Sequence, residues 1–124
     1  MSGTGRNAFP RSLRIGRSSE FRRLKEEGKR EVSGCLVMNW APAEHLRLGV
    51  VTSRKVGAAV GRSRARRWIR EAFRVHQHEF RIPVDLVLVA RPSIARCDFV
   101  TVERDFLNLI TRARLRQPAG TPPS

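Results

Sequence analysis

Ala65, Trp68, Ile69, Ala72, Phe73 and His76 recur at i, i+3, i+4, i+7, i+8 and i+11. At about 100° per residue they gather on one side of a helix, and that side needs a core to cover it. Arg66, Arg67, Arg70 and Arg74 fall on the opposite side. One face is therefore anchored while the other offers a row of guanidinium groups. Glu71 is the single acid between Thr52 and Arg74 and is spaced to pair with Arg67 at i+4, an exposed pair worth about 0.3–0.5 kcal/mol. Solvated helix faces usually mix signs, because adjacent like charges repel. This one is nearly single-signed and built from Arg, whose planar fork suits phosphate oxygens, so a polyanion-binding face is expected. Upstream, Arg54, Lys55, Arg62 and Arg64 lie in a stretch interrupted by Gly57 and Gly61, which reads as a basic loop.

Charge over the whole chain agrees. The formal net charge is +14, from 25 Lys and Arg against 11 Asp and Glu in 124 residues. Nucleic acid is the leading partner class for so basic a domain. Hydrophobic residues make up 40% of the chain, so this is no disordered basic tail. The length fits one domain able to bury a core unaided. No apolar run approaches the roughly 20 residues of a spanning helix, which argues against a membrane. The N-terminal stretch lacks a signal-like apolar run, so a cytoplasmic protein is expected. Cys35 and Cys97 are then expected as reduced thiols. His45, His76 and His78 have no zinc-motif spacing.

Along the chain, residues 1–12 are expected to be a flexible basic segment, 13–116 the folded domain, and 117–124 a disordered Pro/Gly-rich tail. Ser18 or Ser19 is expected to cap a short helix carrying Phe21 and Leu24, with Gly28 ending it. Val32–Trp40 reads as a strand, with Cys35, Val37 and Asn39 on one side and Leu36, Met38 and Trp40 on the other. Leu46–Thr52 reads as a second strand, and a hairpin joining the two is the economical pairing. The basic helix runs to about Phe80. Val84–Ala90 is a nearly continuous apolar run, as in a central strand buried on both faces. Asp98 is placed to cap a last helix with Val102, Phe106, Leu109, Ile110 and Ala113 inward. The expected order is α-β-β-β-α-β-α with Val32–Trp40 bent or split, or α-β-β-α-β-α if it is one strand. Either is a single-domain α+β fold, an α/β sandwich with three helices on a small mixed sheet, in which the strands flanking the basic helix lie parallel.

Catalytic chemistry is not visible. The acids are scattered with no metal-binding or acid–base pair, and no phosphate-cradling or nucleophile-elbow motif occurs. His76 lies on the apolar stripe and reads as a satisfied core or boundary histidine. No catalytic or metal-ligating side chain is assigned.

The run Ser53-Arg54-Lys55-Val56-Gly57 through Arg62-Ser63-Arg64-Ala65-Arg66-Arg67-Trp68-Ile69-Arg70-Glu71 resembles the signature of the bacterial ribonuclease P protein family. The likeness spans about Leu13 to Arg114. Two features depart from the family's pattern: Ser63 stands where an Arg-Asn-Arg core has Asn, and Lys25 and Met38 stand where aromatics are common. The resemblance implies a left-handed β-α-β crossover around the basic helix. It also implies a protein subunit that binds a catalytic RNA and the single-stranded 5′ leader of precursor tRNA, assisting Mg²⁺-dependent removal of the leader, with catalysis and Mg²⁺ belonging to the RNA. Carried over by position, it implies RNA contacts at Arg54, Lys55, Arg62, Ser63, Arg64, Arg66, Arg67, Arg70 and Arg74, and a leader cleft lined by Phe21, Leu36 and Met38. The residues leave Phe21 open between core and cleft. The rival readings are another RNA-binding module such as a ribosomal protein, a DNA-binding regulator and a stand-alone nuclease. The basic face lacks the Asn and Gln base-readers expected of the second, so DNA is not the expected partner.

Overall fold

A computed structural model describes residues 14–16 and 18–117, so the segment expected at 1–12 and, except for Gln117, the tail expected at 117–124 lie outside the described residues. The elements are α1 (Ser18–Glu27), β1 (Lys29–Ser33), β2 (Leu36–Pro42), β3 (Arg47–Thr52), α2 (Ala59–His76), β4 (Val84–Ala90) and α3 (Phe99–Arg112). The order is the α-β-β-β-α-β-α alternative.

The stretch expected as one strand, Val32–Trp40, is split. Gly34 takes φ +52°, which ends β1 and turns the chain into β2. A Cβ on Gly34 would lie 2.3 Å from Oδ2 of Asp105, and the same Oδ2 accepts the Cys35 backbone N–H at 3.0 Å. Glycine is needed there for both the left-handed backbone and the approach of a buried carboxylate from α3.

The sheet has four strands in the order β1-β2-β4-β3. The expected hairpin between Val32–Trp40 and Leu46–Thr52 does not form. β2 pairs antiparallel with β1 and β4, while β3 pairs with β4 alone and in parallel. All seven residues of β4, VDLVLVA, pair with β2 and all but Val84 pair with β3 on the other side, which makes β4 the central apolar strand. β3 and β4 are joined through α2, as parallel strands require. Outside β3, Ile15 N–H donates to Leu48 C=O at 2.9 Å and Arg14 bridges Leu48 in parallel, so part of that sheet edge is capped.

The two sheet faces differ. Leu36, Met38 and Trp40 of β2 and Leu86 and Leu88 of β4 join Ile69, Phe73, Phe106, Leu109 and Ile110 in the main core, under α2 and α3. The opposite face carries a small cluster of Ile15, Leu24 and Val87 under α1. Ala65, Ile69, Ala72 and Phe73 are buried and Trp68 half-buried, so the apolar stripe faces the core as expected. The helix begins earlier and ends sooner than expected: it takes in Gly61 and stops at His76, where a 3₁₀ turn over Gln77–Glu79 follows.

The helix ends follow capping rules. Asp98 Oδ1 accepts from Thr101 N–H at 2.9 Å and caps α3. Ser18 and Ser19 are both already helical, so neither is the cap of α1. Gly28 closes α1 with N–H to Leu24 C=O at 2.9 Å, and a Cβ there would lie 2.7 Å from the Trp40 carbonyl oxygen. The chain past α3 is held: Arg81 N–H donates to Leu115 C=O at 2.7 Å and Gln117 N–H to Glu79 C=O at 2.8 Å, one residue beyond the expected boundary. Cys35 and Cys97 are free thiols. Burial, then Asp105 and Cys97, pushes the Cys35 thiol far above its ordinary range.

Candidate nucleic-acid interface

The basic loop is ordered by its own polar groups. Ser53 Oγ accepts from Lys55 N–H at 3.3 Å and opens the 3₁₀ turn Arg54–Val56. Gly57 closes the turn at φ +134°, a conformation other residues avoid. Arg62 Nη1 donates to the Gly57 carbonyl at 2.9 Å, tying the start of α2 to the turn. Arg66 donates to Thr52 Oγ1 at 2.7 Å and to Ser63 Oγ at 3.1 Å. Arg64 lies over the Trp68 ring at 5.2 Å. Arg54, Lys55, Ser63, Arg64 and Arg67 are exposed, and Arg62, Arg66, Arg70 and Arg74 half-buried.

Arg70 is the most constrained of these. Its Nε is enclosed without a hydrogen-bond partner. Burial lowers its pKa, and the positive charges of Arg14 and Arg66 lower it further. Cations brought together in this way favour an anion on the same surface. Glu71 does not make the expected pair with Arg67. It takes Arg74 instead, at i+3, through Nε at 3.0 Å and Nη2 at 2.5 Å. Three residues apart, the guanidinium fork of Arg74 reaches both carboxylate oxygens, so Arg74 is partly neutralised while Arg67 is not.

A groove of about 460 Å³ runs between α1 and the sheet face away from α2 and α3. Val37, Asn39, Val51, Val87 and Val89 form its floor, with Phe21 and Lys25 of α1 and Arg30 of β1 around it. Phe21 is half-buried and sits over Gly49. Leu36 and Met38, expected in the cleft, are not there. Both are fully buried on the other face under α2 and α3, because strand alternation sends residues 36, 38 and 40 one way and 37 and 39 the other. Reading the residues alone missed Val37, Asn39, Val51, Val87, Val89 and Arg30. A polar Asn within an apolar strand and a Gly within β3 were the signals available.

The position of α1 over this face is set by ion pairs. Arg47 of β3 binds Asp85 through Nε to Oδ1 at 2.8 Å and Nη2 to Oδ2 at 3.0 Å, and reaches Glu20 of α1 at 2.8 Å. Arg23 approaches the same Asp85 at 3.4 Å. These hydrogen bonds, Asp85 first and then Glu20, raise the pKa of Arg47 and keep it charged. Among the described residues, no group of three or more His, Cys, Asp or Glu side chains could hold a metal ion, and no helix is long and apolar enough to cross a membrane.

A sequence-family model described as Ribonuclease P matches residues 9–114. The chain belongs to the ribonuclease P protein family. A ribonuclease P protein component from Chloroflexus aurantiacus is 39% identical over 114 residues, covering 90% of this chain and 84% of that protein. One from Desulfovibrio desulfuricans is 35% identical over 122 residues, covering 94% of each. Among solved structures, the Staphylococcus aureus RNase P protein superposes with a TM-score of 0.78 at 25% identity, covering 85% of this chain and 98% of that one. The RNase P protein from Thermotoga maritima gives 0.73 at 31% identity, covering 80% and 96%. Ribonuclease P is the endoribonuclease complex of tRNA 5′ processing, and binding RNA and precursor tRNA is the general role of its protein family.

Proposed function

We propose that the chain holds two RNAs on adjoining surfaces. The catalytic RNA of ribonuclease P lies along Arg54, Lys55, Arg62, Ser63, Arg64, Arg66, Arg67 and Arg70, with Arg74 contributing less because Glu71 already engages it. The single-stranded 5′ leader of precursor tRNA lies in the groove between α1 and the sheet. In this reading cleavage at the mature 5′ end is the RNA's chemistry, assisted by Mg²⁺ held on the RNA, and takes place in the cytoplasm. The protein's side chains bind and orient the substrate and screen phosphates that must come together.

The observation that carries this reading is the junction of the two surfaces at the end of β3. Val51 floors the groove, and the next residue, Thr52, accepts from Arg66 of the basic face at 2.7 Å. A strand leaving one surface enters the other without a gap. An apolar groove with an aromatic wall and cationic margin suits single-stranded nucleic acid, and a face rich in Arg suits phosphates.

The test is cleavage of precursor tRNA by a bacterial ribonuclease P RNA at low Mg²⁺, with and without the protein, beside protein alone. Cleavage at the mature 5′ end that needs both components is the expected result. An RNA whose activity the protein leaves unchanged would overturn the proposal, and cleavage by protein alone would overturn the assignment of catalysis to RNA.

A further inference from the structure

The chain's two cysteines lie far apart in sequence and meet in the fold. Cys97 packs against the core cluster that holds Cys35, and its thiol is a hydrogen-bonding neighbour of the Cys35 thiol. Both are fastened to one short segment. Arg91 N–H donates to the Cys35 carbonyl at 2.8 Å, and the 3₁₀ turn Pro92–Arg96 follows at once. Cys97 ends that turn, its N–H on the Ile94 carbonyl at 3.0 Å and its Sγ on the Ser93 carbonyl at 3.4 Å. On its other side Cys35 N–H is held by Asp105 Oδ2 at 3.0 Å.

Thiols in a core often serve as small apolar fillers. These two differ in a way that filling does not require. Cys35 is 2% exposed and Cys97 half-buried, so an oxidant arriving from solvent meets Cys97 first. Burial first, then the Asp105 and Cys97 side chains, keeps Cys35 protonated and therefore a poor first nucleophile. Contact between the two sulfurs offsets that handicap in a second step, because a sulfenic acid formed on Cys97 is already against the Cys35 thiol.

We propose that Cys35 and Cys97 form a modification site for hydroperoxides and close to a disulfide within the folded domain. The Cys97 sulfur attacks one oxygen of hydrogen peroxide. The O–O bond breaks, and Cys97 becomes a sulfenic acid with loss of water. The Cys35 sulfur then attacks the Cys97 sulfur. The S–O bond breaks, and the Cys35 proton leaves with the departing hydroxide as a second water. Two thiols are oxidised to one disulfide while one peroxide is reduced to two waters. The new bond joins the start of β2 to the approach to α3. It closes a long loop through β2, β3, α2 and β4, which stabilises the fold by restricting the unfolded chain. In a reducing compartment other thiols reopen such a bond, so the site registers peroxide reversibly.

The experiment treats the full chain, reduced and then freed of reductant, with hydrogen peroxide under native conditions. Remaining thiols are alkylated and the digest is read by mass spectrometry. A linked Cys35–Cys97 peptide, reversed by dithiothreitol and formed faster in the folded protein than in urea, is the expected product. The oxidised protein should melt about 5 °C or more above the reduced one. Cys97→Ser should slow loss of the remaining thiol about tenfold or more. Cys35→Ala should leave the rate at Cys97 unchanged and carry that residue on to sulfinic acid, with folding of both variants checked by circular dichroism. Sulfinic acid or an intermolecular bond as the main product of the unmutated chain overturns the inference. So does a linkage that forms as fast in urea, or a melting temperature that does not rise. Equal rates of thiol loss in the two single variants overturn the order of attack.

Discussion

The ring of Phe21 occupies the space that any side chain at Gly49 would need: a Cβ built there would lie 2.4 Å from Phe21 Cε1. The bare backbone of β3 is thus the seat of the groove's aromatic wall. Gly49→Ala should displace the ring and destabilise the domain by about 1–3 kcal/mol. It should also weaken leader-dependent binding in the holoenzyme. Adding Phe21→Ala to Gly49→Ala should cost less than the two single effects summed, since the clash disappears with the ring. Urea unfolding of the three variants checks this, and strict additivity would count against the contact.

On the basic face the arginines should not be equivalent. Arg66→Ala and Arg70→Ala should each weaken RNA-subunit binding and lower the slope of log affinity against log salt by about 1. Arg74→Ala should do less, because Glu71 already binds that guanidinium through both oxygens. Filter-binding titrations across salt concentrations measure all three. Equal losses would mean that Arg74 leaves Glu71 to reach phosphate.

Asp85 is buried, and Arg47 is its two-point partner. Arg47→Ala should cost about 3–5 kcal/mol, as for a buried pair broken on one side, well above the ~0–1 kcal/mol of a surface ion pair. Replacing both residues together, Arg47→Met with Asp85→Leu, should recover much of that loss. Chemical denaturation gives the numbers. α1 should also loosen in the single variant, visible as faster amide exchange over residues 18–27.

His76 is held between Glu79 on Nδ1 at 2.5 Å and Glu103 on Nε2 at 2.7 Å. Burial works against the charged imidazole, but the two carboxylates outweigh it and raise its pKa above 6.5. A raised folded pKa means the contribution is complete below 6.5 and is lost as pH climbs through the folded value. Glu79 moves the other way: burial opposes its charged form, but His76 and Arg116 lower its pKa below 4.5, so its share is lost as pH falls through that lowered value. Stability from this cluster should therefore be greatest between about 4.5 and 6.5 and decline on either side. His76→Gln should flatten the alkaline decline in thermal melts taken across pH.

Much of this was legible in the residues themselves. The helical period from Ala65 to His76 identified the buried side of α2 correctly, and the run Val84–Ala90 marked the central strand. The alternation in 36–40 was also read correctly, but Cys35, expected beside Val37 and Asn39, lies in the main core with Leu36, Met38 and Trp40, because it belongs to the turn before β2. What it lacked was the choice of face. Leu36 and Met38 on one side, and Val37 and Asn39 on the other, are told apart only by where α2 and α3 come to rest, which contacts distant in sequence decide. Sheet order has the same origin. β2 and β3 are neighbours in the chain, but β4 lies between them, because it bonds β2 on one edge and β3 on the other. Gly34 was visible as a turn residue, yet the lack of room for a Cβ there comes from Asp105, more than seventy positions away in sequence. The partner of Glu71 turned on side-chain reach, which spacing alone does not rank.

The sheet's two faces are covered by unequal means, two helices on one side and a single short one on the other. The result is a division of labour between odd and even positions of the same strands. Leu36, Met38, Trp40, Leu86 and Leu88 hold the molecule together from one side, while Val37, Asn39, Val87 and Val89 meet the groove from the other. Evolution can therefore rewrite the recognition alphabet of the groove letter by letter while the alternate letters keep the scaffold. If the groove holds the leader as proposed, relatives of this chain can differ in the leader they prefer without differing in how they fold.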